Sequence, residues 1–263
     1  MDQLERCQKA LSSFLEEKRG AFPRFYFIGD DDLLEILGQS TNPAVIQSHL
    51  KKLYQGVAAV QFNDDKTKIK AMVSAAGEEV SLDNEVATSN RVEDWLGTFT
   101  EEMKSTLASS LALYLSALVT RGDADLDCYP SQVLCVGEQV RFSDQVESAN
   151  CQGLDDILKN ARLQLEAYTR QDLTGLPMMQ LKVKALVMDL IHNMDVLGQL
   201  DRAKCHSPHD WSWRKQLRYY MDSKSMVSVC MSDGVFSYSY EYQGNAAKLV
   251  HTPLTDRCYL TLV

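Results

Sequence analysis

The run Asp210-Trp211-Ser212-Trp213-Arg214-Lys215-Gln216-Leu217-Arg218-Tyr219-Tyr220-Met221 is the stretch from which the rest of this chain is read. Ser207-Pro208-His209-Asp210 in front of it has the order of an N-cap, a proline at the first helical position and an acid two residues further in. That order predicts an aromatic amphipathic helix. Residues 226–231 and 235–242 follow, flanking Asp233-Gly234, a two-residue hairpin signal. Phe236, Tyr238, Tyr240 and Tyr242 alternate with Ser237, Ser239 and Glu241, which reads as one buried hairpin face. The competing reading is a contact face for a further domain. Two of the three Trp and six of the eleven Tyr lie in residues 207–263, a density that predicts a packed, specific surface. The closing Thr261-Leu262-Val263 reads as an apolar, strand-like run that has been cut.

Upstream, the periodicity is helical. Trp95, Phe99, Met103, Leu107, Leu111, Tyr114, Leu115 and Leu118 recur every three or four residues, one apolar face that needs a large partner surface. Further helices are predicted at 131–148, 153–170 and 178–200. The last carries Val183, Leu186, Val187, Leu190, Ile191, Met194 and Leu197, which marks it as the central one. At the start, residues 3–19 form a helix with Leu4, Cys7, Leu11, Phe14 and Leu15 on one stripe. Asp32 and Glu35 have capping-box spacing ahead of a helix ending at Gly38. Asn42-Pro43 opens another, to about residue 54, with Val45, Ile46, Leu50 and Leu53 inward. Between 57 and 82 the period shortens to that of a small antiparallel meander. The fold class is therefore mainly α (α+β): helical bundles, a small β-meander and a C-terminal β-hairpin.

Composition limits the function classes. A formal charge of −9 and a pI near 5.1 argue against nucleic acid, which calls for a basic stripe. No window has the roughly 18 uninterrupted apolar residues of a membrane span. Met1-Asp2-Gln3-Leu4-Glu5 lacks the basic and apolar regions of a secretion signal. Seven scattered cysteines suit reduced thiols in the cytoplasm.

The chain lacks the motifs of a self-sufficient active site. Neither Gly-x-x-x-x-Gly-Lys-[Ser/Thr] nor Gly-x-Gly-x-x-Gly occurs, and no nucleophile motif is found. Asp123, Asp125 and Asp127 begin like a calcium loop, but Cys128 and Leu134 stand where Gly and Glu are needed. Cys205, His206 and His209 supply too few ligands for zinc without a second pair, so a structural loop is the reading there. His192, on the most apolar helix, reads as a satisfied, partly buried histidine. No catalytic residue and no metal site is expected.

Two motifs resemble a known family. Tyr240-Glu241-Tyr242-Gln243-Gly244-Asn245, followed by Leu249-Val250-x-Thr252-Pro253-Leu254-Thr255-Asp256-Arg257-Cys258-Tyr259, is similar to the junction from the linker into the first AAA+ module of dynein heavy chains. Phe22-Pro23-Arg24-Phe25-Tyr26-Phe27, then Asp32-Leu33-Leu34-Glu35-Ile36-Leu37, resembles the upstream linker signature of that family. Phe27-Ile28-Gly29-Asp30-Asp31, residues 38–43 and Tyr242-Gln243-Gly244-Asn245-Ala246 look most like the cytoplasmic dynein 2 branch, the retrograde motors of intraflagellar transport. Tyr259-Leu260-Thr261 departs from the axonemal pattern.

The resemblance implies an elongated helical-bundle linker, a lever that couples ATP hydrolysis in the AAA+ ring to movement toward microtubule minus ends. It divides the chain into a helical subdomain (1–56), a β-meander insertion (57–90), a helical bundle ending in the hairpin (91–242) and the junction into the first AAA+ module (243–263). It makes Trp211, Trp213, Phe236, Tyr238, Tyr240 and Tyr242 the anchor, and Leu249, Val250, Pro253, Leu254 and Thr255 an adenine-side wall. A Walker loop is expected just beyond Val263, so ATP and Mg2+ belong to the full-length motor and the piece alone is not an enzyme. Expected partners are its own AAA+ ring, a second heavy chain and microtubules, with neither nucleic acid nor membrane. The expected location is the cytoplasm and the cilium or flagellum. The alternative is a free-standing helical interaction module, or the linker of an axonemal dynein. A hydrolase built on the acidic loops has the least support.

Overall fold

A computed structural model describes residues 2–40, 42–122, 124–246 and 252–262. The chain is mainly helical with two small three-stranded antiparallel sheets, and it divides into two compact units. Among the described residues no helix is long and apolar enough to cross a membrane.

The first unit comprises Met1–Thr106 and Tyr240–Gly244. It opens with α1 (Asp2–Ala21), a 3-10 turn (Pro23–Phe27), α2 (Asp30–Gly38) and α3 (Pro43–Leu53). Asn42 caps α3 as expected, its side chain accepting from the Ala44 N–H at 3.1 Å, with Pro43 at the first position. The capping-box reading of Asp32 is corrected. Gly29 is the N-cap of α2 and makes no side-chain cap bond. Asp30, Asp31 and Asp32 all lie within the first turn, where carboxylates favour the positive end of the helix dipole. The α1 stripe is also corrected. Leu15 is buried, whereas Leu4, Cys7, Leu11 and Phe14 stay exposed.

The meander follows as β1 (Ala59–Phe62), β2 (Lys68–Val73) and β3 (Glu79–Ala87), in sheet order β1-β2-β3. Strand β3 runs past the predicted end of the meander at residue 82: the register slips between Ile69 and Ala71, and pairing resumes at Ile69↔Val86. Val80, Leu82 and Val86 alternate inward along it. Helix α4 (Val92–Arg121) supplies Trp95, Leu96, Phe99 and Met103 to the core of this unit. Thr106 Oγ1 accepts the Asp83 N–H at 3.0 Å, which fastens β3 to the helix.

The second unit comprises Leu107–Ser239 and Asn245–Val263. Its helices are α5 (Ser131–Ser148), α6 (Leu154–Thr169), α7 (Pro177–Arg202) and the short α8 (Trp211–Arg214). Helix α7 packs against α5, α6 and α8 with Val183, Leu186, Leu190 and Leu197 buried, in keeping with its expected central place, although Ile191 is exposed; α5 is buried without interruption from 131 to 138. Helix α5 packs against α7 and β4 (Arg218–Met221) and receives the Tyr114 ring on a third side. Two of its buried polar side chains find partners there. Tyr114 Oη donates to Glu138 at 2.7 Å, and Gln132 Nε2 donates to Tyr238 Oη at 2.6 Å. Gly137 is required at this crossing, since a Cβ would lie 2.5 Å from the Tyr114 ring.

Candidate functional site

The aromatic segment folds differently from its sequence pattern. Helix α8 has four residues rather than twelve. Asp210 is its N-cap, but the carboxylate turns back to accept the His206 and Ser207 N–H groups at 2.8 and 3.2 Å. Those backbone bonds, His206 first, hold the Asp210 carboxyl below the usual range. Beyond Lys215 the chain becomes β4, because Tyr219 and Tyr220 pair with Val229 and Ser228 of β5 (Val227–Met231). Strand β6 (Gly234–Ser237) completes the second sheet, in order β4-β5-β6. The tight turn between β5 and β6 is Ser232-Asp233, one residue earlier than predicted, with Ser232 at φ +53°.

Trp213 is fully buried in an apolar cluster with Phe142, Val146, Leu154, Val196, Leu197 and Leu200. Its ring meets Phe142 edge to face at 6.0 Å. Its Nε1–H donates to Glu147 Oε1 at 2.8 Å, and Tyr220 Oη donates to the same oxygen at 2.5 Å. One carboxylate thus ties α8 and β4 to the end of α5. Burial and the Glu147 bond both push the Tyr220 phenol well above its usual value. Trp211, by contrast, is 58% exposed.

The four alternating aromatics do not share one face. Phe236 is 55% exposed on β6. Tyr238 is half-buried and accepts from Gln132. The strand ends at Ser237, and Tyr240 adopts a left-handed φ of +52°, which breaks the period-2 pattern. Tyr240 and Tyr242 are buried in the first unit, among elements from the other end of the sequence.

That five-residue segment is gripped throughout. Both Glu241 carboxylate oxygens accept from the Arg24 guanidinium at 2.8 Å, a bidentate pair. Arg24 also donates to the Leu53 carbonyl at 2.9 Å and stacks 4.6 Å over the Tyr54 ring. The Arg24 bond keeps the Glu241 carboxyl below its ordinary value. Tyr242 is completely buried, and its Oη donates to Glu78 at 2.7 Å. Desolvation, then the Glu78 charge, drive its phenol far upward. Gly56 must be glycine here, because a Cβ would lie 2.0 Å from the Tyr242 carbonyl oxygen. Gly244, at φ +58°, would set a Cβ 2.7 Å from Ser74 Cβ.

Leu249 and Val250 lie outside the described residues. Pro253-Leu254-Thr255 is the first turn of α9 (Pro253–Leu262), so the strand-like reading of Thr261 and Leu262 is corrected, while Val263 lies outside the described residues. Thr252 and Thr255 cap this helix reciprocally. The Thr252 N–H donates to Thr255 Oγ1 at 2.8 Å and the Thr255 N–H to Thr252 Oγ1 at 3.3 Å. Leu254 is 70% exposed.

Asp125 accepts from the Asp127 N–H as the cap of a 3-10 turn, while Asp123 lies outside the described residues. Among the described residues, one set of His, Cys, Asp and Glu groups has metal-ligand spacing. It is Asp32, Glu35 and His49, not the Cys205 loop. Sequence reasoning treated Asp32 and Glu35 only as helix caps. The available signal was an acidic pair one turn apart, followed by a histidine on the next helix.

Comparison with known proteins bears on these segments. Residues 1–113 match a family model described as dynein heavy chain, N-terminal region 2, and residues 238–263 match one described as the hydrolytic ATP binding site of the dynein motor region. The chain belongs to the dynein heavy chain family. It is 52% identical over 271 residues to human cytoplasmic dynein 2 heavy chain 1, covering 100% of this chain. Identity to the Chlamydomonas reinhardtii cytoplasmic dynein 2 heavy chain 1 is 48%, over 99% of this chain. For the cytoplasmic dynein heavy chain of Caenorhabditis elegans it falls to 37%, also over 99% of this chain. The chain spans about 6% of the length of each of these relatives.

Proposed function

We propose that this chain is the mechanical linker segment of a microtubule motor heavy chain of the cytoplasmic dynein 2 type. It couples ATP hydrolysis in an AAA+ ring to minus-end-directed movement, and its place of work is retrograde intraflagellar transport, in the cytoplasm and the cilium. The observation that carries the reading is the grip on Tyr240–Gly244. These residues fall within the stretch that resembles the dynein ATP-binding region, and the first unit holds them through Arg24–Glu241, Tyr242–Glu78 and the close approach at Gly56. A lever must be fixed where force enters it, and a buried, bidentate attachment with no room for a Cβ is suited to that.

On this reading Trp213, Tyr240 and Tyr242 are anchoring residues by packing. Tyr238, half-buried and accepting from Gln132, joins them, and Trp211 and Phe236 are the surface aromatics available to the AAA+ ring. Leu249, Val250, Pro253, Leu254 and Thr255 form the adenine side of the first AAA+ site. The exposed apolar Leu254 fits a purine face. The phosphates do not fit this chain, which has no glycine-rich loop to cradle them. The chain therefore lends a wall to the ATP site and does not hydrolyse ATP by itself. Its partners are its own ring, a second heavy chain and the microtubule.

The test uses the full-length motor. Glu241→Gln releases the attachment while leaving the phosphate-binding loop untouched, so ATPase activity is retained and gliding velocity falls. Unchanged velocity and unchanged ATPase would refute the role of this attachment. ATP turnover by the 263-residue chain alone would count against the non-catalytic reading.

A further inference from the structure

A buried histidine in the first unit stands between two carboxylates with a geometry that a neutral ring leaves unsatisfied. Asp32 and Glu35 lie one turn apart on α2, and His49 lies on α3. His49 is only 5% exposed. Its Nε2 is 3.1 Å from Glu35 Oε2, and its Nδ1 is 3.7 Å from Asp32 Oδ1 with no hydrogen-bond partner. The other Asp32 oxygen accepts from Lys52 Nζ at 2.7 Å.

An ionised carboxylate only accepts, so the Nε2–Glu35 contact places a proton on Nε2. In a neutral imidazole Nδ1 then carries a lone pair. That buried lone pair faces an Asp32 oxygen, acceptor against acceptor, at a distance too long for a hydrogen bond. The separation is near that of two ligands on one metal ion. A nitrogen and an oxygen each about 2.0–2.1 Å from zinc stand roughly 3.3–3.7 Å apart at tetrahedral to somewhat wider angles. All three groups offer ligand atoms within 4.8 Å of one another.

We infer that Asp32 Oδ1 and His49 Nδ1, with Glu35 on the far ring nitrogen, form a two-ligand site for a zinc-like divalent cation, weaker than the three- or four-ligand sites of structural and catalytic zinc, in which water fills the remaining positions. Glu35 accepting from Nε2–H is the carboxylate–histidine–metal arrangement that fixes the tautomer and makes the ligating nitrogen more basic. Lys52 holds the second Asp32 oxygen and so aims the first one at the ring. Two carboxylates against one ammonium leave the cluster with a net negative charge, which a cation offsets. The imidazole nitrogen favours zinc over magnesium or calcium, which take oxygen ligands. A bound ion would clamp α2 onto α3. The other candidate for the same gap is a proton on Nδ1, giving an imidazolium between two acids.

The test is titration of the 263-residue chain with zinc chloride at pH 7.5, followed by calorimetry, thermal unfolding and histidine 15N shifts. Exposed Cys7, Cys128 and Cys258 also take zinc, so they are replaced by Ser in every sample. The expected result is one site per chain, a raised Tm and a zinc-dependent shift at His49 Nδ1. Asp32→Asn abolishes these, and Glu35→Gln weakens binding by about 10–100-fold. Both substitutions lie at partly exposed positions of α2, so they serve if His49→Gln fails to fold. Zinc uptake equal in the parent and Asp32→Asn would overturn the inference. So would no uptake at all, or 15N shifts showing both His49 nitrogens protonated at neutral pH and indifferent to zinc.

Discussion

The Arg24 guanidinium holds both carboxylate oxygens of Glu241 at 2.8 Å, a contact between residues 217 positions apart in the chain. Both side chains are about three-quarters buried, so the pair is less screened than a surface bridge. Glu241→Gln is expected to destabilise the first unit by about 1.5–3 kcal/mol at neutral pH, measured by urea unfolding. A loss too small to measure would show that the pair contributes only geometry.

The same pair sets a pH dependence. The folded-state pKa of Glu241 lies below its ordinary value of 4.5, chiefly because of the Arg24 bond. Its contribution is therefore fully present above about pH 4.5 and is lost as pH falls through the lowered folded value. Unfolding midpoints followed from pH 7 to pH 3 should drop less steeply below 4.5 in Glu241→Gln than in the parent. Parallel curves would contradict this assignment.

Trp211 and Trp213 are two residues apart in sequence and opposite in burial. Trp213→Ala empties a packed site and strands Glu147 without one of its donors, so a loss of about 3–5 kcal/mol is expected. Trp211→Ala should cost less than about 1 kcal/mol. Chemical denaturation of the two variants side by side checks both values, and similar losses would mean that exposure does not govern this pair.

Gly56→Ala would force a methyl group to within 2.0 Å of the Tyr242 carbonyl oxygen, so the gripped segment must move. Overpacking of this kind costs about 1–3 kcal/mol. Faster limited proteolysis within residues 240–246 is expected, at protease levels that leave the parent intact. Unchanged cleavage would show that the segment relaxes without detaching.

Gly137 poses a similar constraint in the second unit, against the Tyr114 ring. Gly137→Ala should destabilise by about 1–3 kcal/mol, and adding Tyr114→Leu should recover part of that loss by removing the obstructing ring. Additive losses in the double variant, by thermal unfolding, would locate the clash elsewhere.

Much of the secondary structure was legible in the sequence. The stripe of α4, the Asn42-Pro43 start of α3, the meander and the helices near 131–148, 153–170 and 178–200 each follow from local periodicity and capping chemistry. The aromatic stretch was legible only in part. Asp210 through Lys215 supports a single helical turn, and the partners that turn Tyr219 and Tyr220 into a strand lie in β5. The candidate cation site was only weakly signalled, for a related reason. Asp32 and Glu35 fit a helix start equally well, and only the packing of α3 brings His49 between them.

The sequence by itself determined the family, the mainly helical class and the lack of a phosphate-cradling loop, because each of these is written in contiguous residues. Only the tertiary structure decided where the aromatics of residues 236–242 belong. Their alternation predicts one face, but a left-handed turn at Tyr240 ends it and delivers Tyr240 and Tyr242 into the first unit. Period-2 patterning records which side of a strand a residue takes and cannot record where the strand stops. That was decided by partners far away in sequence: Arg24, Gly56, Glu78 and Met103, which together leave one place for the segment to lie.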